Sequence, residues 1–270
     1  MASDQTIMLV SSEASAGALN VSASKDSFEV NFPGGLKFPA GSRPRMCVAN
    51  ASVWFSMANI SASKNNNTWT YTVNGVTYTI VLTDGLYDLT GLNEEMSANF
   101  VNRGFPANLF WFTGVAATGY VLLNKIATST PAQMTFGPGS PGPILGFNAG
   151  PGYVYSLGAT TLPWSIQGEY AANLNSLQSI ILNCSLAQGC STVGGRSSAA
   201  IAMFSPGDAG VGMQIQFTPS IPQWVSMPNL AGETVFSMRL WLTDQSGVPH
   251  TIQTPDDWAA TLILETQQPR

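Results

Sequence analysis

Few residues in this chain could do chemistry. There is one histidine, His250, in the turn-like stretch SGVPHT. A His/Cys metal cage needs several ligands at set spacing, and a Ser-His-Asp triad needs an imidazole fixed against its base and nucleophile. A single histidine in a turn supplies neither. Asp256 and Asp257 are adjacent. In a strand they would point to opposite faces, so they read as loop residues rather than as a paired acid and base. Asp84 and Asp88 flank a turn but lack the density of oxygen ligands that calcium takes. Asp244, in TDQSG, is a turn-starter ahead of Gly247. The cysteines are Cys47, Cys184 and Cys190. Cys184 and Cys190 are near enough to pair across a loop, but an odd count without regular spacing favours buried free thiols. Trp54, Trp69, Trp111, Trp164, Trp224, Trp241 and Trp258 could stack on sugars. Most stand in strand-like runs, where core packing is the default. The glycines of GPGSPGPILGFNAGPG (137–152) show no phosphate-loop spacing. The site reading is therefore empty: no catalytic, cofactor-binding or metal residues, and no enzyme.

Composition points the same way. Hydrophobic residues make up 44% of the 270, enough for a sizeable core, and charged residues only 9%, against about 25% in typical domains. A surface so poor in charge is better covered by neighbouring proteins than by water. Net charge is −5 with ten Lys plus Arg. No basic stripe exists to displace counterions, so no direct nucleic acid binding is expected. The N-terminus lacks the basic and apolar regions of a signal peptide. No apolar run approaches the ~18 residues that span a membrane. Sequons at Asn50, Asn59, Asn66 and Asn183 carry little weight without secretion.

The elements that would position these residues are mostly strands. Residues 1–25 are small and polar around a short IMLV and read as a flexible arm. FEVNF (28–32) and LKF (36–38) flank PGG, which predicts strand, turn, strand. RMCVANASVWF (45–55) continues as strand. TWTYTV and VTYTIVL (68–82) flank Asn74-Gly75, the signature of a type I′ hairpin. One helix follows, over 89–103. Asp88 or Thr90 caps it, Glu94 and Glu95 suit its start, and Gly104 and Pro106 end it. Leu89, Leu92, Met96 and Phe100 form its apolar stripe, with Leu92, Met96 and Phe100 expected to face the core. Further strands read at 109–112, 119–127, 132–136, 177–186, 199–205, 213–218, 235–244 and 258–265. Even spacing and Gly/Pro turns favour two packed antiparallel sheets.

Taken in order, several segments resemble the penton, or minor capsid, proteins of virophages and of related Polinton and adintovirus elements. They are VANASVWFSMANIS (48–61), TYTIVLTDGLYDLTGLNEEMSANF (77–100), PILGF (143–147), NLNSLQSIILNCSLA (173–187), AIAMFSP…GMQIQFTPSIPQWVSM (200–227), RLWLTDQSG (239–247) and DWAATLILE (257–265). Each is a strand-turn pattern, and their order carries the resemblance. Segments 101–142 and 148–172 match nothing and read as elaborated loops.

The resemblance implies an all-β chain with a single jelly-roll sandwich over 26–266, about eight strands in two antiparallel sheets, and a tail at 267–270. The helix would cover open ends of the two sheets. The chain would form homopentamers at icosahedral fivefold vertices of a virion assembled in a host cell, beside a double jelly-roll major capsid protein and other minor capsid proteins or a vertex spike. Two alternatives stand beside it. One is a receptor- or glycan-binding spike using Tyr153, Tyr155 and Trp164. The other is a single jelly-roll major capsid protein.

Overall fold

Period-two alternation becomes strand almost wherever the sequence shows it. The computed structural model describes residues 3–14, 17–23, 25–127, 131–151, 153–157, 163–174, 177–193, 196–207, 209, 212–247, 252 and 256–267. The chain opens with β1 (Ser3–Ser11), β2 (Ser27–Lys37) and β3 (Arg43–Trp54). Next come β4 (Thr68–Val73), β5 (Val76–Val81), helix α1 (Leu89–Asn102), β6 (Phe110–Val115), β7 (Tyr120–Lys125), β8 (Ala132–Thr135), β9 (Val154–Leu157) and β10 (Trp164–Ala171). It closes with β11 (Ile180–Cys184), β12 (Ser191–Val193), β13 (Arg196–Ser198), β14 (Ala200–Phe204), β15 (Gln214–Phe217), β16 (Val225–Ser226), β17 (Thr234–Asp244) and β18 (Ala259–Gln267). These fall into two compact units, Met1–Met57 with Leu177–Arg270, and Ala58–Ser176. Where the sequence suggests one body over 26–266, the middle of the chain is a unit of its own. Both unmatched segments, 101–142 and 148–172, lie inside it.

The first unit is an antiparallel sandwich. One sheet runs β1-β18-β3-β15, with β16 also on β3, and the other runs β14-β11-β17-β2. Taken as eight principal strands in chain order, the first pairs with the eighth, the second with the seventh, the third with the sixth and the fourth with the fifth. That nested pairing is one long hairpin rolled on itself, which is a jelly roll. Phe204 of β14 stacks on Phe217 of β15 at 4.8 Å, joining the two sheets, and Phe28 of β2 meets Trp258 beside β18 at the same distance. All five residues of β11 are buried. Asn183, the one polar side chain among them, donates to Ile181 O, Trp241 O and Thr243 Oγ1.

Two segments differ from expectation here. Ser3–Ser11, read as a flexible arm, is the first strand of the roll. It pairs with β18 in unbroken register from Ser3↔Gln267 to Ser11↔Ala259. Its short apolar run is a weak local signal, and the strand exists because β18 offers an edge. Pro33-Gly34-Gly35, read as a turn, is a bulge inside β2. The partner register jumps from Ser237↔Asn31 to Val235↔Leu36, and Gly35 takes φ +70°. A bulge absorbs extra residues without reversing the chain.

The second unit packs sheet β5-β4-β8-β9 and sheet β10-β7-β6 around an aromatic core. Trp69 meets Phe112 and Phe136 edge-on, Phe136 packs on Phe147, and Phe147 meets Tyr155. The β4–β5 hairpin turns at Asn74 and Gly75, with φ of 52° and 78°, as the Asn-Gly pair demands. Helix α1 belongs to this unit, and the expectation that it closes the ends of the jelly roll is replaced. Its Leu92, Met96 and Phe100 are fully buried, as read. They meet this unit's own core, where Phe100 touches Tyr71 and Phe110. Asp88, not Thr90, is the cap, accepting from Gly91 N at 2.7 Å. No acidic residue stands in the first turn, so Glu94 and Glu95 sit beyond the strongest part of the helix dipole. No helix among the described residues is long and apolar enough to cross a membrane.

Candidate assembly surfaces

The residues with chemical potential are spent on structure. Asp84 accepts from Ala62 N at 2.8 Å, and Asp88 caps α1. Asp244 accepts from Ser246 N at 2.8 Å within its turn. Asp257 pairs with Lys25 at 3.2 Å and accepts from Ser12. Cys47 and Cys184 are buried free thiols, and Cys190 is half-buried and free. Burial pushes the Cys184 thiol up to about 12, which two backbone hydrogen bonds only partly offset. No thiolate nucleophile forms there at neutral pH. His250 lies outside the described residues. Among the described residues, no group of three or more His, Cys, Asp or Glu could hold a metal ion.

The GLYDL turn ahead of the helix is organised by a residue that stands out in the sequence only as part of a sequon. Asn59 is 5% exposed and uses its whole amide. Its Nδ2 donates to Tyr87 O at 2.7 Å and to Leu174 O at 2.8 Å, and its Oδ1 accepts from Tyr87 N at 2.8 Å. One side chain thus ties the entry of the second unit, the turn at Tyr87 and the exit at Leu174. Asn93 acts similarly one helical turn on. It donates to Phe112 O at 2.9 Å and accepts from Phe112 N at 2.7 Å. It occupies the outward backbone groups of Phe112 on β6, an edge strand, and so blocks that point of the edge. Asn59 stands in a loop, where Asn reads as a turn-former, and Asn93 lies within α1, so nothing local marks these roles.

PILGF forms a 3-10 turn, Gly142–Leu145, ended by Gly146 at φ +86°. Gly146 O accepts from Tyr170 N at 2.9 Å, and Ile144 O accepts from Asn173 N at 2.7 Å. A Cβ on Gly146 would collide with the Tyr170 carbonyl oxygen. The turn seats where the register of β10 breaks between Gln167 and Ala171. Nearby, Tyr155 OH donates to Glu169 Oε1 at 2.9 Å, and Asn148 N donates to Oε2 at 3.0 Å. Burial, then the bond to Glu169, raises the Tyr155 phenol above its ordinary value. Of the aromatic residues suggested for sugar binding, Tyr155 is therefore turned inward, Tyr153 is exposed, and the Trp164 side chain lies outside the described residues.

Two ionisable groups sit in unusual surroundings. Lys125 of β7 is fully buried, and its Nζ has no hydrogen-bond partner among the described residues. Burial lowers its pKa. Glu265 of β18 is 4% exposed. Burial raises its pKa, but hydrogen bonds from Arg45 and Gln267 and the Arg45 charge outweigh that, so it lies below the ordinary carboxylate value. The Arg45–Glu265 pair is 2.8 Å long, and the guanidinium lies 4.3 Å from the Trp224 ring centre.

The first unit leaves several large apolar side chains uncovered. Ile7 and Leu9 of β1, Met203 of β14, Met213 beside β15, Ile221 between β15 and β16, and Phe236 of β17 are all more than half exposed. Among the described residues, no strand pairs with the outer side of β1 or of β15 in the β1-β18-β3-β15 sheet. Exposed apolar side chains and unpaired strand edges together mark surfaces for protein contact.

No known family profile matches the sequence, and no curated protein does. In fold, the chain is similar to the mavirus penton protein, with a TM-score of 0.50 and 9% identity, covering 99% of this chain and 100% of that one.

Proposed function

We propose that this chain is a structural protein of an icosahedral capsid, a penton that assembles as a homopentamer at the fivefold vertices of a virion. One observation carries the reading: the nested jelly-roll pairing of the first unit, in a chain similar in fold to a penton protein along its whole length. The exposed apolar margins and the low charge support it, because both suit a surface that neighbours cover. Its lateral neighbour would be a double jelly-roll major capsid protein, and other minor capsid proteins or a spike would sit at the same vertex. The role is structural, not catalytic.

A concentration series by native mass spectrometry tests the proposal. A pentamer growing in with concentration is the expected result. A stable trimer would replace the penton with the spike or the single jelly-roll major capsid protein. A monomer throughout would remove self-assembly and leave a free binding module.

A further inference from the structure

The two sheets of the first unit treat their edges differently. In the β14-β11-β17-β2 sheet, both edges are interrupted. β2 carries Glu29, Lys37 and the Pro33 bulge, and Leu19 bridges to Glu29 along it. β14 is five residues long, and its register against β11 shifts between Leu182 and Asn183. Bulges, charges and short edge strands are the usual devices against unwanted pairing. The other sheet has fewer of them: β15 is shorter still, at four residues, but neither β1 nor β15 holds a bulge or a proline. β1 runs nine residues in unbroken register, with Asp4 as its one charge and no proline or lysine. At the opposite margin, β15 is QIQF, uncharged and in unbroken register on β3.

Each of these margins also carries exposed apolar side chains. On the β1 side, Ile7 is 70% and Leu9 77% exposed, and Ile7 stands directly opposite Ile263 of β18. On the β15 side, Met213 is 60% and Ile221 75% exposed. Met213 O accepts from Phe55 N at the start of β15, and Ile221 lies in the connection from β15 to β16. One chain thus presents two different apolar edges on opposite margins of a single sheet. A twofold contact needs one self-complementary patch, whereas a head-to-tail ring needs two unlike patches that meet.

We propose that the second copy of this chain is the occupant of both margins: the β1 edge of one copy, with Ile7 and Leu9, meets the β15 edge of the next, with Met213 and Ile221. The contact is heterologous and repeats around the ring. This assignment rests on the homopentamer reading.

Two charge-inserting variants test it in the full-length chain. Ile7→Glu with Leu9→Glu blocks one edge, and Met213→Glu with Ile221→Glu blocks the other. All four side chains are exposed, so folding should be kept, which circular dichroism checks. By native mass spectrometry the wild-type chain should give pentamers, and each variant alone should stay monomeric to at least ~100-fold higher concentration. Mixed in equal amounts, the two variants should form a dimer and nothing larger, because the mixture contains one intact pair of edges. A Met213/Ile221 variant that still associates, or a mixture that stays monomeric, overturns the assignment. Pentamers from wild type and both variants would remove these edges while leaving the penton reading in place. A wild-type chain that is monomeric at every concentration would remove the penton reading, and this assignment with it.

Discussion

Phe100→Ala removes a phenyl ring from the middle of the second unit. The ring is fully buried, with Tyr71 edge-on at 5.0 Å and Phe110 at 6.0 Å. Core Phe→Ala changes cost about 3–5 kcal/mol, combining lost transfer energy with the cavity left behind. The two ring contacts, about 0.5–1.5 kcal/mol each, are already inside that range. Alanine is the better helix former and returns roughly 0.5 kcal/mol. The expected loss is therefore about 2.5–4.5 kcal/mol. Urea unfolding followed by near-ultraviolet circular dichroism gives the size. Amide exchange at Phe112 gives the location, because that N–H is held by Asn93 of the helix. Val101→Ala is the control on the same helix, at an exposed position, and should change stability by no more than about 0.5 kcal/mol. A loss below ~1 kcal/mol for Phe100→Ala, with Phe112 as protected as in wild type, would refute the placement of α1 against this core.

Four further outcomes are expected. Asn59→Ala strands the Tyr87 N–H and two carbonyl groups, and should cost roughly 2–4 kcal/mol with faster exchange at Tyr87; wild-type exchange there would show that the clamp is dispensable. Gly146→Ala should destabilise well beyond Gly104→Ala, since both glycines have positive φ but only Gly146 has backbone where a Cβ would go, a difference that paired thermal melts measure. Lys125→Met should stabilise by on the order of 1 kcal/mol at neutral pH. The lowered pKa of Lys125 means that its charge opposes folding fully below the folded value, so the gain should shrink as pH rises from there and be gone above the ordinary lysine value; a gain independent of pH would point to packing instead. The lowered pKa of Glu265 makes its contribution complete above the unfolded carboxylate value and lost as pH falls through the folded one. Glu265→Gln should accordingly flatten acid unfolding, and an unchanged acid limb would show that other carboxylates set it.

Local chemistry carried much of the fold. The hairpin turn rests on Asn74-Gly75, and the helix on Asp88, its apolar stripe and Gly104. Each is decided by neighbours in sequence, so each was legible there. The strands of the jelly roll were legible one by one for the same reason: β3, β17 and β18 alternate apolar and polar residues.

Partners remote in sequence decided the rest. SDQTIMLVS has the composition of a loose arm, and it is a strand because β18, some 250 residues away, offers nine residues of backbone in register. Pro33-Gly34-Gly35 has the composition of a turn, and it is a bulge because β17 runs past it. Asn59 reaches Leu174 across 115 residues, a link that no local pattern announces. The division at Ala58 and Ser176 was hidden likewise, because strands on both sides of it use the same alternation. Sequence by itself determined the helix, most of the longer strands and a surface poor in charge, but not β1, nor β9 and β10 within the segment read as loop. Only the tertiary structure decided which strands pair, which unit owns the helix and where the apolar edges face. The physical reason is that a strand satisfies its backbone on another strand, and alternation specifies a face to bury but not the partner that completes it.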